Sequence, residues 1–142
     1  MSCEFPTVNA NQDEIQQIFS EVKTIAVIGL SPNPSKDSHR VAKYLQSVGY
    51  KIIPVYPKED EILGEKVYRS LADIPEPVDM VDIFRKADVV PSIVEACKAR
   101  GDVKVVWMQV GIVHNEAAET AKSAGMKVVQ SRCAMVDHRN LA

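Results

Sequence analysis

Apolar positions along the chain alternate between a helical rhythm and short continuous runs. Between Asn9 and Val22, Ile15, Ile18, Phe19 and Val22 stand at i, i+3, i+4 and i+7, behind cap-type Asn9 and Asn11 and an acidic first turn. This predicts an amphipathic helix lying on a sheet. Thr24 to Ile28 is a compact apolar run ending in Gly29, read as a strand, and a loop rich in Ser and Pro leads into a helix over about Lys36 to Ser47. Val41, Leu45 and Val48 form its stripe and Gly49 closes it. Tyr50 to Tyr56 reads as a second strand, with Pro54 favouring an end or a local bulge because it lacks a ladder donor. Glu59 to Pro77 is polar, a surface excursion with one helical turn expected around Ser70 to Ile74. Val78 to Phe84 is the third strand, followed by a helix from Val89 or Pro91 to Arg100 stopped by Gly101. Val103 to Val110 is nearly all apolar, as a parallel strand buried on both faces should be. Asn115 to Ala124 is the next helix, Met126 to Gln130 the fifth strand, and the tail a loop with a short closing segment.

Strands and helices alternate with short connections, the pattern of an open parallel sheet covered on both faces. The expected fold is α/β: one Rossmann-like, doubly wound domain over residues 1–142, with five mainly parallel strands and a first ten residues free to move. Such sheets bind ligands beyond the carboxyl ends of the strands, beside the first one. Attention therefore falls on Gly29 to Ser38, Val55 to Lys58, Phe84 to Lys86, Gln109 to Gly111 and Ser131 to Cys133. A strand emptying through glycine into a helix N-terminus is expected to leave backbone N–H groups free for phosphate.

Composition narrows the classes. Among 142 residues, 46% are apolar and 25% charged, enough to fill one core, and the net charge of −2 supplies no basic field for nucleic acid. No apolar run reaches the roughly 20 residues of a membrane span, and Met1-Ser2-Cys3-Glu4 lacks the features of a signal peptide. A cytoplasmic location is expected. Cys3, Cys97 and Cys133 lie far apart without a CxxC pair, which argues for free thiols rather than a disulfide framework or structural zinc. HExxH, GxSxG and P-loop patterns do not occur.

The first loop carries a single glycine, Gly29, so the GxGxxG dinucleotide fingerprint is missing. The end of the second strand, where NAD sites place a carboxylate for the ribose, reads Val55-Tyr56-Pro57-Lys58, with no acid before Glu59. A hydroxyl and a lysine suit a ribose bearing an extra phosphate, and His39, Arg40 and Lys43 add donors on the same edge. NADP and coenzyme A both fit that description.

Five segments in order carry a resemblance: Val27 to Leu45, Ile53 to Lys58, Val78 to Arg85, Trp107 to Gly111 and Ser131 to Cys133. Together they resemble the small stand-alone CoA-binding proteins, similar in turn to the N-terminal domain of the succinyl-CoA synthetase α subunit. The resemblance implies that Gly29, Ser31, Pro32, Asn33, Ser35, His39 and Arg40 surround the phosphates. It implies that Val55, Tyr56, Pro57 and Lys58 hold the adenosine end, that Phe84 and Arg85 flank the middle, and that Gln109 and Cys133 lie toward the pantetheine. Those synthetases also use a phosphohistidine in a further domain. His39 at a helix start, His114 in a loop and His138 in the tail offer no counterpart.

Cys133 is the one candidate reactive group: Arg132 beside it would favour thiolate, and a disulfide with CoA would follow by exchange. The bland alternative is a small apolar filler, as expected for Cys97. Asp79 and Asp82 bracket the third strand without suggesting acid–base work, Asp82 reading as a polar strand-end residue, and Tyr44 and Trp107 read as packing residues. The sequence thus favours non-catalytic binding of CoA or an acyl-CoA, with an NADP-dependent oxidoreductase or a ligand-free protein-interaction module as alternatives. A homodimer or a protein partner stays open.

Overall fold

The protein is described by a computed structural model over residues 5–141; Cys3 lies outside the described residues. The elements run α1 (Gln12–Glu21), β1 (Thr24–Ile28), α2 (Asp37–Ser47), β2 (Lys51–Val55), β3 (Glu61–Ile62), β4 (Glu65–Lys66), β5 (Met80–Ile83), α3 (Val90–Arg100), β6 (Val105–Met108), α4 (Asn115–Ser123), β7 (Lys127–Val129) and α5 (Ala134–Arg139). Five strands form a Rossmann-like sheet in the order β2-β1-β5-β6-β7, with every pairing parallel. Parallel neighbours need crossovers, and the helices that supply them cover both faces.

Each face has its own core. Ala26, Ile28, Val81, Ile83, Val106 and Met108 point to the side of α3 and α4. Ile25, Val27, Met80, Trp107 and Val129 point to α1, α2 and α5. Because successive side chains alternate, Asp82 shares this second face with Met80, flanked in register by Val27 and Trp107. The expectation of a strand-end acid fails: Asp82 lies within β5 and is 0% exposed, and among the described residues neither carboxylate oxygen has a hydrogen-bond partner.

Pro54 holds regular register with Val27 as the next-to-last residue of β2, so of the two expected placements, an end or a bulge, no bulge is formed. β2 is an edge strand, and the Pro54 carbonyl turns outward to accept from Tyr68 N–H, so the missing donor falls on the open side. The stretch expected to be a plain polar excursion contains a second, two-stranded sheet. Glu61 faces Lys66 and Ile62 faces Glu65 across Leu63-Gly64, whose φ values of 55° and 75° make the left-handed pair that a tight hairpin needs. The helical turn is present as a 3₁₀ segment, Leu71–Asp73.

Asn11, not Asn9, caps α1, in a reciprocal arrangement with Glu14. Asn9 instead exchanges hydrogen bonds with the backbone of Gln130 just past β7, and the Gln130 side chain donates to Val8 O and Asn115 Oδ1. The N-terminal strap is thereby laid across the carboxyl end of the last strand.

Candidate functional site

The β1–α2 loop is shaped by its own side chains. Ser31 N–H donates to Ser38 Oγ (3.0 Å), Asn33 N–H to Ser31 Oγ (3.1 Å), and Ser35 N–H to Asn33 Oδ1 (3.0 Å). Gly29 N–H bonds Val55 O and Lys36 N–H bonds Asn33 O. Of the N–H groups from Gly29 to Lys36, only that of Leu30 lacks a partner among the described residues, so the expected row of free loop donors is not there. The side-chain oxygens of Ser31, Asn33 and Ser38 accept these N–H groups and hold the loop in rigid turns of the Asx and Ser type.

His39 is buried against the same loop, its Nδ1 2.9 Å from Ser31 O, so Nδ1 carries the proton. Arg40 donates to Ser35 O (2.6 Å) and pairs with Asp37. Gly29 has φ +86°, and a Cβ there would lie 2.5 Å from Phe84 O and 3.1 Å from Arg85 Cδ. Glycine thus lets the loop press on the β5 exit and places Arg85 beside it. Among the described residues Arg85 and Lys86 have no acidic partner, and both are exposed.

A cavity of about 690 Å³ opens at this edge of the sheet. Asp37, Arg40 and Val41 of α2 form one side, and Phe84, Arg85 and Lys86 after β5 the next. Gln109, Val110 and Ile112 after β6 continue it, and Cys133 and Met135 at the start of α5 close it. Arg40, Phe84, Arg85, Gln109 and Cys133, all singled out from the sequence, are brought together here. Gly29, Ser31, Pro32, Asn33 and Ser35 frame the edge without lining the cavity, as do Val55, Tyr56, Pro57 and Lys58 beyond β2. The turn after β2 is drawn in by Arg69, whose Nη1 donates to the carbonyls of Tyr56, Lys58 and Glu59. Arg69 was missed in the sequence because no local pattern joins it to residues that far back in the chain. Lys86 and Val110 fell inside the strand-exit ranges read from the sequence, whereas Ile112 and Met135 were missed because each lies just beyond such a range, on a loop or a short helix whose path the sequence does not give.

The far wall is held by three contacts. Trp107 Nε1 donates to Arg132 O (2.8 Å), Gln109 Oε1 accepts from Ala134 N–H (3.2 Å), and the Tyr44 hydroxyl meets His138 Nδ1 (2.8 Å) inside a cluster with Phe19 and Tyr50. Arg132 does not turn to Cys133. Its guanidinium forms a two-pronged pair with buried Asp137 (2.7 and 2.8 Å), and that bonding holds the arginine pKa above its usual value. Cys133, half-buried on the cavity wall, thus has its neighbouring cation committed elsewhere. Cys97 is core filler, and burial pushes its thiol up to about 12. His114 caps α4 by accepting from Ala117 N–H.

Comparison with known proteins now bears directly on this edge. A family model described as CoA binding domain matches residues 23–139. The chain belongs to that family. It is 41% identical over 130 residues to the uncharacterized protein YneT of Bacillus subtilis, covering 92% of this chain and 96% of that one. It is also 31% identical over 132 residues to an ADP-forming acetate–CoA ligase of Methanocaldococcus jannaschii, where the match spans 87% of this chain but 19% of the ligase. Among solved structures, a hypothetical protein from Pyrococcus horikoshii OT3 superposes with a TM-score of 0.89 at 38% identity, covering 99% of each chain. A dinucleotide-forming acetyl-coenzyme A synthetase 1 of Ca. Korarchaeum cryptofilum matches at 34% identity with a TM-score of 0.65, over 75% of this chain and 25% of that one. CoA-binding domains of this kind thus occur both as chains of this length and as parts of much larger ligases. Among the described residues no helix is long and apolar enough to cross a membrane, and no group of side chains is arranged to hold a metal.

Proposed function

We propose that this protein binds coenzyme A or an acyl-CoA along the carboxyl edge of its sheet, without catalysing a reaction on it. The observation that carries the reading is the order of the strand exits. Across the sheet they run Val55–Lys58, Gly29–Ser35, Phe84–Lys86, Gln109 and Cys133, following β2-β1-β5-β6-β7. At about 4.8 Å per strand that is a track of roughly 19 Å. The same order takes an extended CoA from adenosine through phosphates to thiol. Free cations stand in the middle of the track, at Arg85 and Lys86, where the phosphates would lie. Apolar Val110, Ile112 and Met135 line the end where the pantetheine would lie. Membership of the CoA binding domain family and the ligases that contain homologous domains agree with CoA as the ligand.

In this arrangement Cys133 meets the ligand's sulfur. A covalent link would form with oxidised CoA disulfide: Cys133 thiolate attacks one sulfur, a new S–S bond forms, and the second CoA leaves as thiolate. Mass spectrometry without reductant, in native and denaturing modes, tests both levels. A bound mass of one CoA in native mode is expected for wild type and for Cys133→Ser. A mass surviving denaturation only in wild type would add the thiol link. No bound mass in either sample after adding CoA would overturn the reading.

A further inference from the structure

Gln109 is 4% exposed and yet lines the cavity. Its amide orientation is fixed, because Ala134 N–H brings a hydrogen and only the amide oxygen can accept it. Nε2 is therefore the amide atom left over from that contact, and it donates to no acceptor among the described residues. It is not sealed in either: the only side-chain polar atoms among the described residues that are both buried from solvent and unpartnered are the two oxygens of Asp82. A preset amide donor thus stands on the cavity wall, in the strand exit that also supplies apolar Val110 and Ile112. A buried donor held in one orientation selects for a ligand acceptor at that point.

Resting on the reading of this cavity as a CoA site, we infer that the preferred ligand is a short acyl thioester, whose carbonyl oxygen accepts from Gln109 Nε2. The Ala134 hydrogen bond makes Gln109 a direct neighbour of the Cys133 segment, where the ligand's sulfur falls in that reading. The atom next to that sulfur in a thioester is a carbonyl carbon; in free CoA there is only hydrogen. Val110, Ile112 and Met135 then cover the acyl chain. Free CoA offers no acceptor at that point.

The test is a set of affinities for acetyl-CoA, S-ethyl-CoA and free CoA, the second a thioether of nearly the same size without the carbonyl. Wild type should bind acetyl-CoA about threefold to tenfold more tightly than S-ethyl-CoA, the range of one neutral hydrogen bond. Gln109→Met should abolish that preference while leaving S-ethyl-CoA affinity within about twofold. If Gln109→Met fails to fold, Gln109→Glu keeps an oxygen for Ala134 N–H and should reverse the preference. Equal affinity of wild type for acetyl-CoA and S-ethyl-CoA would overturn the inference while leaving CoA binding intact. An equal loss for all three ligands in Gln109→Met would also overturn it, assigning the donor to a pantetheine amide instead. Binding of none of the three would overturn the CoA reading itself.

Discussion

Asp82 is a carboxylic acid in the middle of the sheet with nothing to bond. Burial pushes its pKa well above the usual carboxylate value, and the nearby Ile83 backbone, outside hydrogen-bonding geometry, opposes this less. The folded protein therefore holds a proton that the unfolded chain releases above about pH 4. With more protons on the native state, stability falls as pH rises through that range toward the folded pKa. Asp82→Asn removes the titration, so chemical denaturation between pH 4 and 8 should show a flatter profile than wild type and greater stability at pH 7. A variant losing stability at pH 7 would mean that Asp82 has a polar partner in solution. The sequence could not announce this. In Val78 to Phe84 two acids stand three apart among apolar residues, which suits strand ends as well as an interior, and only the central position of β5 decides. The glutamine after β6 was legible as a strand-exit residue, while its fixed amide orientation depends on Ala134, 25 residues on.

At the scale of elements, the sequence gives away what is periodic and conceals what is tied together from a distance. β1 was readable to the residue, because a continuous apolar run ends at a glycine. The β3–β4 hairpin was overlooked since two-residue strands in Glu-Ile-Leu-Gly-Glu-Lys carry no measurable alternation, although Leu63-Gly64 is a turn signal. The bonding inside the first loop was hidden for a similar reason: nothing local says that Ser31 Oγ and Asn33 Oδ1 accept the backbone N–H groups two residues on, which leaves no row of free backbone donors there. What the loop needs most is Gly29. Gly29→Ala must take a left-handed φ costing about 1–2 kcal/mol and also drive a methyl into Phe84 O. Thermal unfolding should fall by at least roughly 3–8 °C, and CoA affinity should weaken as the loop and the β5 exit move apart. An unchanged melting temperature would show that the contact between them yields freely.

For the whole molecule, the open sheet with helices on both faces followed from the alternation of elements, and five segments were enough to point to the family. The strand order was not written in the chain, and neither was the cavity, which draws on three separate strand exits and α2. That order now carries the functional account, because it converts separate motifs into one track with cations at its centre. The most direct test is a ¹⁵N-resolved NMR titration of the protein with CoA, beside Arg85→Ala. The account predicts shifts confined to one edge, over residues 29–40, 55–58, 84–86, 109–112 and 131–135, with affinity about tenfold weaker in Arg85→Ala, the loss of one charge-assisted contact to phosphate. Shifts centred elsewhere, or none at millimolar CoA, would contradict it.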